Sequence, residues 1–146
     1  MKAREIMTAD PVAVTPEDTV ARAAEIMRDT DVGIVPVVDD LDGRRLRGVI
    51  TDRDIAIRHV AERHTDDCTV ASHMSTDIAT AAPDEDVNTV MARMRLGQVR
   101  RIPVVGDGGR LVGIIAQADL AIELGPRDPE KVETTLERIS EPTQDR

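Results

Sequence analysis

The sequence predicts a mixed α/β (α+β) fold of two β-α-β-β-α repeats followed by a C-terminal helix. Three observations carry that expectation. Gly33 to Asp54 (GIVPVVDDLDGRRLRGVITDRD) and Arg100 to Asp119 (RRIPVVGDGGRLVGIIAQAD) share one order of features: an apolar-Pro-Val-Val strand, a polar turn, a Gly-led strand and an aspartate. Ahead of each copy, apolar residues recur at helical spacing. The copies align at an offset of 67 (74 − 7) from Met7 through Val38, which falls to 65 (113 − 48) across a two-residue deletion in the turn, where length is most easily absorbed.

Val20, Ala23, Ala24 and Met27 lie at i, i+3, i+4 and i+7 and predict the first helix, and Val87, Val90, Met91 and Met94 repeat it. Pro16 and Pro83 precede these helices. Glu17 and Asp18, and likewise Asp84, Glu85 and Asp86, are expected in the first turns, where they complement the helix dipole. In the strands that follow, a proline cannot donate to a ladder, so Pro36 and Pro103 are expected at a strand's first residue or on an edge. Asp39 to Gly43 (DDLDG) and Gly106 to Gly109 (GDGG) have turn chemistry. They join these strands to Leu46–Thr51 and Leu111–Ala116 as hairpins.

Second helices are expected over Asp52 to Glu62 and over Gln117 to Leu124. Arg63 to Ala71 (RHTDDCTVA) reads as a polar linker, which divides the chain into repeats over residues 1–64 and 65–125. In the tail, 126–146, Asp128 can cap, Pro129 suits the first helical position, and Val132, Leu136 and Ile139 form a narrow apolar stripe. A helix of ~12 residues is marginal alone, so it is expected to dock on the body or on another subunit.

Composition narrows the function. Apolar residues make up 40% and charged residues 32%, a globular balance. The absence of Phe, Trp and Tyr leaves an aliphatic core and excludes aromatic stacking on a base. A net charge of −9 repels phosphate backbones and argues against sequence-independent nucleic-acid binding. Cys68 is the one cysteine, so an internal disulfide is impossible and a reducing compartment is the simpler expectation. The first residues lack a signal-peptide apolar run and nowhere do 18 apolar residues follow one another, which predicts a cytoplasmic protein with no membrane partner.

The IVPVV and RIPVV strands, followed by GVITDRD and GIIAQAD, resemble the cystathionine-β-synthase (CBS) domain family, whose tandem pair is called a Bateman module. The resemblance covers Ala3 to Leu124. It implies two repeats packed sheet to sheet with pseudo-two-fold symmetry, and clefts between them that in many members take AMP, ADP, ATP, NAD or S-adenosylmethionine. It also implies a homodimer and a regulatory role. About 22 residues (146 − 124) follow Leu124, too few for an attached enzyme or channel, so a stand-alone sensor signalling to a separate, unknown effector protein is expected.

In ligand-binding members the motif is Gly-apolar-x-Thr/Ser-x-x-Asp, and Gly48, Thr51 and Asp54 match it in full. The resemblance thereby assigns ribose to Asp54, whose carboxylate can accept from a 2′,3′-diol, and phosphate to Thr51 and the free N–H groups of a starting helix. The same Thr51-x-x-Asp54 is also a capping-box-like pair that needs no ligand, and the two roles can coexist. Ile34, Val35 and Pro36 would line the adenine pocket, with plain core as the alternative, which is preferred for Val37 and Val38. Arg53 could reach phosphate or lie solvated.

Repeat two departs from the motif. Gly113 and Asp119 remain, but Ala116 removes the hydroxyl. Arg100 and Arg101, beside Ile102 and Pro103, offer phosphate charge-assisted contacts in its place, or else form surface ion pairs. Unequal sites are expected, the one built on Asp54 being the stronger and the other weak, empty or different in ligand. Ala116 also points to an alternative function, a ligand-free structural or partner-binding protein.

His59, His64, Cys68 and His73 fall within fifteen positions, with Asp66 and Asp67 among them. These are zinc-type ligands, but the spacing H-x4-H-x3-C-x4-H matches no familiar finger, and no metal or resident cofactor is assigned from it. No serine stands in a nucleophile elbow, Cys68 has no distant histidine partner and no glycine-rich phosphate loop appears, so the chain is not expected to be an enzyme.

Overall fold

The computed structural model describes residues 1–141, so the last five residues of the predicted tail lie outside the described residues. In chain order the elements are α1 (Ala3–Ile6), β1 (Thr8–Ala9), α2 (Val20–Thr30), β2 (Ile34–Val38), β3 (Leu46–Thr51), α3 (Asp52–Asp54), α4 (Val87–Gly97), β4 (Arg101–Val105), β5 (Leu111–Ala116), α5 (Gln117–Leu124) and α6 (Pro129–Ser140). After α3 the chain continues as a π-helix over Ile55–Val60. This is the expected mixture of helices with small sheets.

Two compact units form. One holds Pro11–Ile78 with Asp107–Leu111, and the other holds Met1–Asp10, Ala79–Gly106 and the described residues from Val112 to Glu141. The units therefore differ from the sequence repeats at their edges, because each takes in the short segment that leads into the other repeat.

In the first unit β2 and β3 form an antiparallel hairpin with Val35 opposite Ile50 and Pro36 opposite Val49. The core is aliphatic, built from Val14, Val20, Ala23, Ile26, Met27, Val35, Val37, Ile50 and Val70. Ile26 takes the buried place expected for Ala24, which is half-buried. The polar linker is tied down at its end. Val70 is fully buried, its N–H donates to the Asp18 carbonyl at 2.8 Å, and the Val20 N–H donates to the Cys68 carbonyl at 2.9 Å.

In the second unit the sheet order is β1-β5-β4, with Thr8 opposite Ile114 and Ala9 opposite Gly113. Val87, Val90, Met91 and Met94 of α4 all face its core. Helix α6 docks there too, through buried Val132, Thr135 and Ile139, while Leu136 is half-buried. Asp128 caps it as expected, accepting from the Lys131 N–H at 3.2 Å.

The acidic residues ahead of α2 and α4 do not enter the first turns. Thr19 and Asp86 are the caps, accepting from the N–H groups of Arg22 and Asn88. Asp18 and Glu85 satisfy donors of the preceding turns, those of Thr15 and Ala82.

Pro36 and Pro103 sit third in their five-residue strands, not first. The outer edge of each strand explains why. There a single parallel bridge takes the proline carbonyl and the N–H two residues on: Val14 bonds Pro36 and Val38 at 3.0 and 2.8 Å, and Ala81 bonds Pro103 and Val105 at 2.9 and 2.8 Å. No partner asks for a proline N–H. The bridges repeat at the sequence offset of 67 (81 − 14).

Candidate functional site

Strand β3 delivers Thr51 to the start of a helix in extended geometry, φ −111° and ψ 161°. The Asp54 N–H donates to Thr51 Oγ1 and the Thr51 N–H donates to Asp54 Oδ2, each at 3.0 Å. The capping box anticipated from sequence is therefore formed. It does not exhaust either side chain, since a hydroxyl can still donate its proton and Asp54 Oδ1 makes no hydrogen bond among the described residues. Oδ1 lies 3.8 Å from Arg58 Nε, and the Asp54 side chain is 12% exposed.

Gly48 lets this hairpin sit where it does. A Cβ there would lie 2.3 Å from the Ser75 carbonyl oxygen, and Ser75 pairs with Val49 through bonds of 3.0 and 2.8 Å. Gly113 does the same in the other unit, where a Cβ would meet Met7 Sδ at 2.4 Å. The motif glycines are thus packing residues: each admits the segment that leads into the opposite repeat.

Of the residues expected at the adenine, Ile34 lies half-buried opposite Thr51, while Val35 is fully buried in the core. The Val35 side chain is therefore core, and what it can offer a ligand is backbone. Pro36 is buried, with its carbonyl committed to Val14. Arg53 is exposed and makes no ion pair among the described residues. Sequence reasoning passed over Gly33 and Asp52, which belong together: the Asp52 N–H donates to the Gly33 carbonyl at 2.9 Å, and a Cβ on Gly33 would stand 3.0 Å from the Asp52 carboxylate.

In the second unit Asp119 Oδ2 accepts from the Ala116 N–H at 2.7 Å. Alanine has no oxygen to return, so only half the box exists. Arg100 takes the place of Gly33 and Gln117 that of Asp52, with the Gln117 N–H on the Arg100 carbonyl at 2.9 Å. Arg100 and Arg101 are exposed, and neither is in an ion pair among the described residues; Ile102 and Pro103 are buried. Gln117 Oε1 is buried without a hydrogen-bond partner among the described residues, an acceptor two residues from Asp119 that no motif pointed to. The two Asp-bearing turns thus differ in charge as well as in the hydroxyl.

Three of the four residues in the His/Cys stretch converge. His59, Cys68 and His73 hold their ligand-type atoms within 4.8 Å of one another, although their spacing matched no known pattern. His59 Nδ1 and His73 Nε2 are 3.3 Å apart. Burial, with the neighbouring charges of His59, His64 and Arg58, lowers the His73 imidazole from its ordinary pKa. Arg58 Nη1 donates to the His73 carbonyl at 3.3 Å, so this arginine touches both the cluster and the surroundings of Asp54. No helix among the described residues is long and apolar enough to cross a membrane.

Comparison with known proteins follows the same lines. A family model described as the CBS domain matches residues 3–59 and 70–125. Hypoxic response protein 1 of Mycobacterium tuberculosis is 37% identical over 123 residues, 84% of each chain. The crystal structure of Hypoxic Response Protein I with two coordinated zinc ions is 34% identical with a TM-score of 0.77, covering 85% of this chain and 99% of that one. The CBS domain pair of protein MJ0100, in complex with 5′-methylthioadenosine and S-adenosyl-L-methionine, is 28% identical with a TM-score of 0.75, covering 87% and 98%. The CBS domain protein PAE2072 of Pyrobaculum aerophilum, complexed with AMP, is 25% identical with a TM-score of 0.76, covering 84% and 92%. The inosine-5′-monophosphate dehydrogenase of Streptococcus pyogenes matches over 76% of this chain but only 22% of its own length, its CBS part and not its enzyme. The chain belongs to the CBS domain family, as a non-catalytic tandem pair.

Proposed function

We propose that this CBS pair is a cytoplasmic regulatory module that binds an adenosine-containing ligand (AMP, ADP, ATP, NAD or S-adenosylmethionine) through Thr51 and Asp54. One observation carries the proposal: at one turn the reciprocal cap leaves the Thr51 hydroxyl proton and Asp54 Oδ1 without a hydrogen bond among the described residues, as a phosphate and a ribose diol require, with Arg58 Nε 3.8 Å from Oδ1 as its ion-pair partner. The AMP, methylthioadenosine and S-adenosylmethionine complexes of similar CBS proteins support the ligand class. Ile34 and the backbone around Val35 and Pro36 would face the base, and Arg53 would reach phosphate.

The turn at Asp119 is the weaker site. It lacks the hydroxyl, and Gln117, Arg100 and Arg101 give it a more positive setting than Asp52 gives Asp54, so it would differ in ligand or stay empty. Output would pass to a separate effector protein, with the module acting as a homodimer. The exposed apolar Ile57 and Val60 of the π-helix offer a surface for self-association. A ligand shifts such an assembly only by its difference in affinity for the alternative states.

Calorimetric titration with AMP, ATP, NAD and S-adenosylmethionine tests the reading. One of the four should bind, and at 100 times its Kd should stabilise the fold by about 2.7 kcal/mol. Binding by none would leave the alternative, a ligand-free partner-binding pair.

A further inference from the structure

We propose that His59, Cys68 and His73 form a zinc site within the first compact unit, independent of the nucleotide reading. The chain contains three histidines and one cysteine, and three of these four side chains converge while the fourth, His64, stands beside them. Each ligand is fixed by separate backbone. His59 lies on the π-helix, whose wide turn closes through the Ala61 N–H on the Ala56 carbonyl at 2.9 Å, and the His59 carbonyl accepts from the His64 N–H at 3.1 Å in the turn that follows; such single-turn π segments are frequent at functional sites. Cys68 is held by its carbonyl, which accepts from the Val20 N–H at the start of α2. His73 follows the 3-10 turn Val70–Ser72, whose Val70 is anchored in the core, and its N–H donates to the Val70 carbonyl at 3.0 Å.

The geometry is that of a metal centre. His59 and His73 are 7% and 4% exposed, and their facing nitrogens are 3.3 Å apart. A tetrahedron with Zn–N bonds of ~2.0–2.1 Å has an N···N edge of about 3.3–3.4 Å, and an N···S edge of about 3.6 Å. A hydrogen bond between two imidazoles would also account for the nitrogen pair. The half-buried thiol packs against the apolar core of this unit and has no side-chain hydrogen bond among the described residues, and that position brings it within reach of both imidazoles. From a spread of 4.8 Å, side-chain adjustments of about 1 Å close all three ligand atoms onto one ion.

The donor set selects the metal. Two imidazoles and a thiolate, with no carboxylate oxygen in the cluster, suit borderline-soft zinc and not magnesium or calcium. The exposed His64, whose ring centroid is 5.1 Å from that of His73, stands beside the cluster, so this imidazole or water would supply the fourth ligand. On binding, the thiol gives its proton to solvent and the thiolate becomes a ligand, so one proton is released per ion bound.

The test uses the full chain with any histidine tag removed. After dialysis against zinc and then against zinc-free buffer, elemental analysis should find one zinc per chain. Cobalt(II) added to the apoprotein should give a thiolate-to-cobalt charge-transfer absorption. Cys68→Ser should abolish that absorption and weaken zinc binding at least tenfold in chelator competition, while its apoprotein melts like wild-type apoprotein. His59→Gln, read by the same competition, should weaken zinc by a similar factor, and zinc should raise the melting temperature of wild type but of neither variant. Retention of no zinc, binding unchanged in Cys68→Ser, or one zinc per two chains would each overturn the proposal.

Discussion

Thr51 and Asp54 bond each other twice, hydroxyl to backbone N–H and carboxylate to backbone N–H, at 3.0 Å in both directions. The arrangement fixes both side chains before any ligand arrives and still leaves each a free hydrogen-bonding function. Thr51→Ala should therefore do two separable things. It should cost about 1 kcal/mol of stability through the lost cap. It should also weaken AMP by roughly tenfold or more, but adenosine much less, because the lost hydroxyl serves phosphate. Thr51→Ser should restore both. Equal losses for AMP and adenosine in calorimetry would confine Thr51 to capping.

The converse change belongs to the other unit. Ala116→Thr would supply the oxygen missing opposite Asp119, whose carboxylate already accepts from the Ala116 N–H. Completing that box should stabilise the fold by about 0.5–1 kcal/mol in denaturant unfolding, since a threonine cap is worth that much over alanine.

Asp52 stands against Gly33 and beside Thr51, so it places a second carboxylate near the proposed phosphate. Asp52→Asn should raise affinity for AMP roughly two- to fivefold, in keeping with an exposed charge, and should do so less at high salt. S-adenosylmethionine, which carries no phosphate, should gain nothing. Gain for both ligands alike would place the effect elsewhere.

Gly48 is required by close approach and not by its dihedral angles. Gly48→Ala forces a methyl to 2.3 Å from the Ser75 carbonyl, so either the bridge at Val49 opens or the segment shifts. The expected loss is about 1–3 kcal/mol, as for other overpacking changes. An unaltered denaturation midpoint would show that Ser75 moves away freely.

The pair of Glu85 and Arg93 gives a pH signature. Two charge-assisted bonds of 2.9 and 2.7 Å, supported by the Ala82 N–H, hold the Glu85 carboxyl below its ordinary pKa. The stabilisation is thus complete above the unfolded value, ~4.3, and is lost as pH falls through the lower folded value. Both partners are partly exposed, at 35% and 26%, which limits the effect to about 0.5–1 kcal/mol. Glu85→Gln should be less stable than wild type at pH 7 by that amount, and the difference should shrink as pH falls below the unfolded value and vanish below the lowered folded one.

Much of this was legible in the chain. The repeat offset, the helical spacing of Val87 through Met94 and the turn chemistry located the elements, because each depends on local periodicity. On α2 three of the four residues expected to be buried are so, and the fourth place goes to Ile26 instead of Ala24, since both are apolar and only packing decides between them. The role of Gly48 was hidden because its contact, Ser75, lies 27 residues away (75 − 48). The convergence of His59, Cys68 and His73 was hidden for another reason: a π-helical turn and a 3-10 turn, neither with a spacing rule, bring them together. Gln117 Oε1 could have been suspected only by asking which residue replaces Asp52.

The central claim is that the turn at Asp54, more than that at Asp119, holds the ligand. The most direct measurement compares Asp54→Asn with Asp119→Asn in titrations with whichever adenosine ligand binds wild type, since asparagine keeps an oxygen for each cap and replaces the other, charged acceptor with an amide donor. Asp54→Asn should weaken binding at least tenfold, as loss of a charged hydrogen-bond acceptor does, and Asp119→Asn by less than about threefold. Wild-type affinity in Asp54→Asn, or a larger loss in Asp119→Asn, would contradict the account.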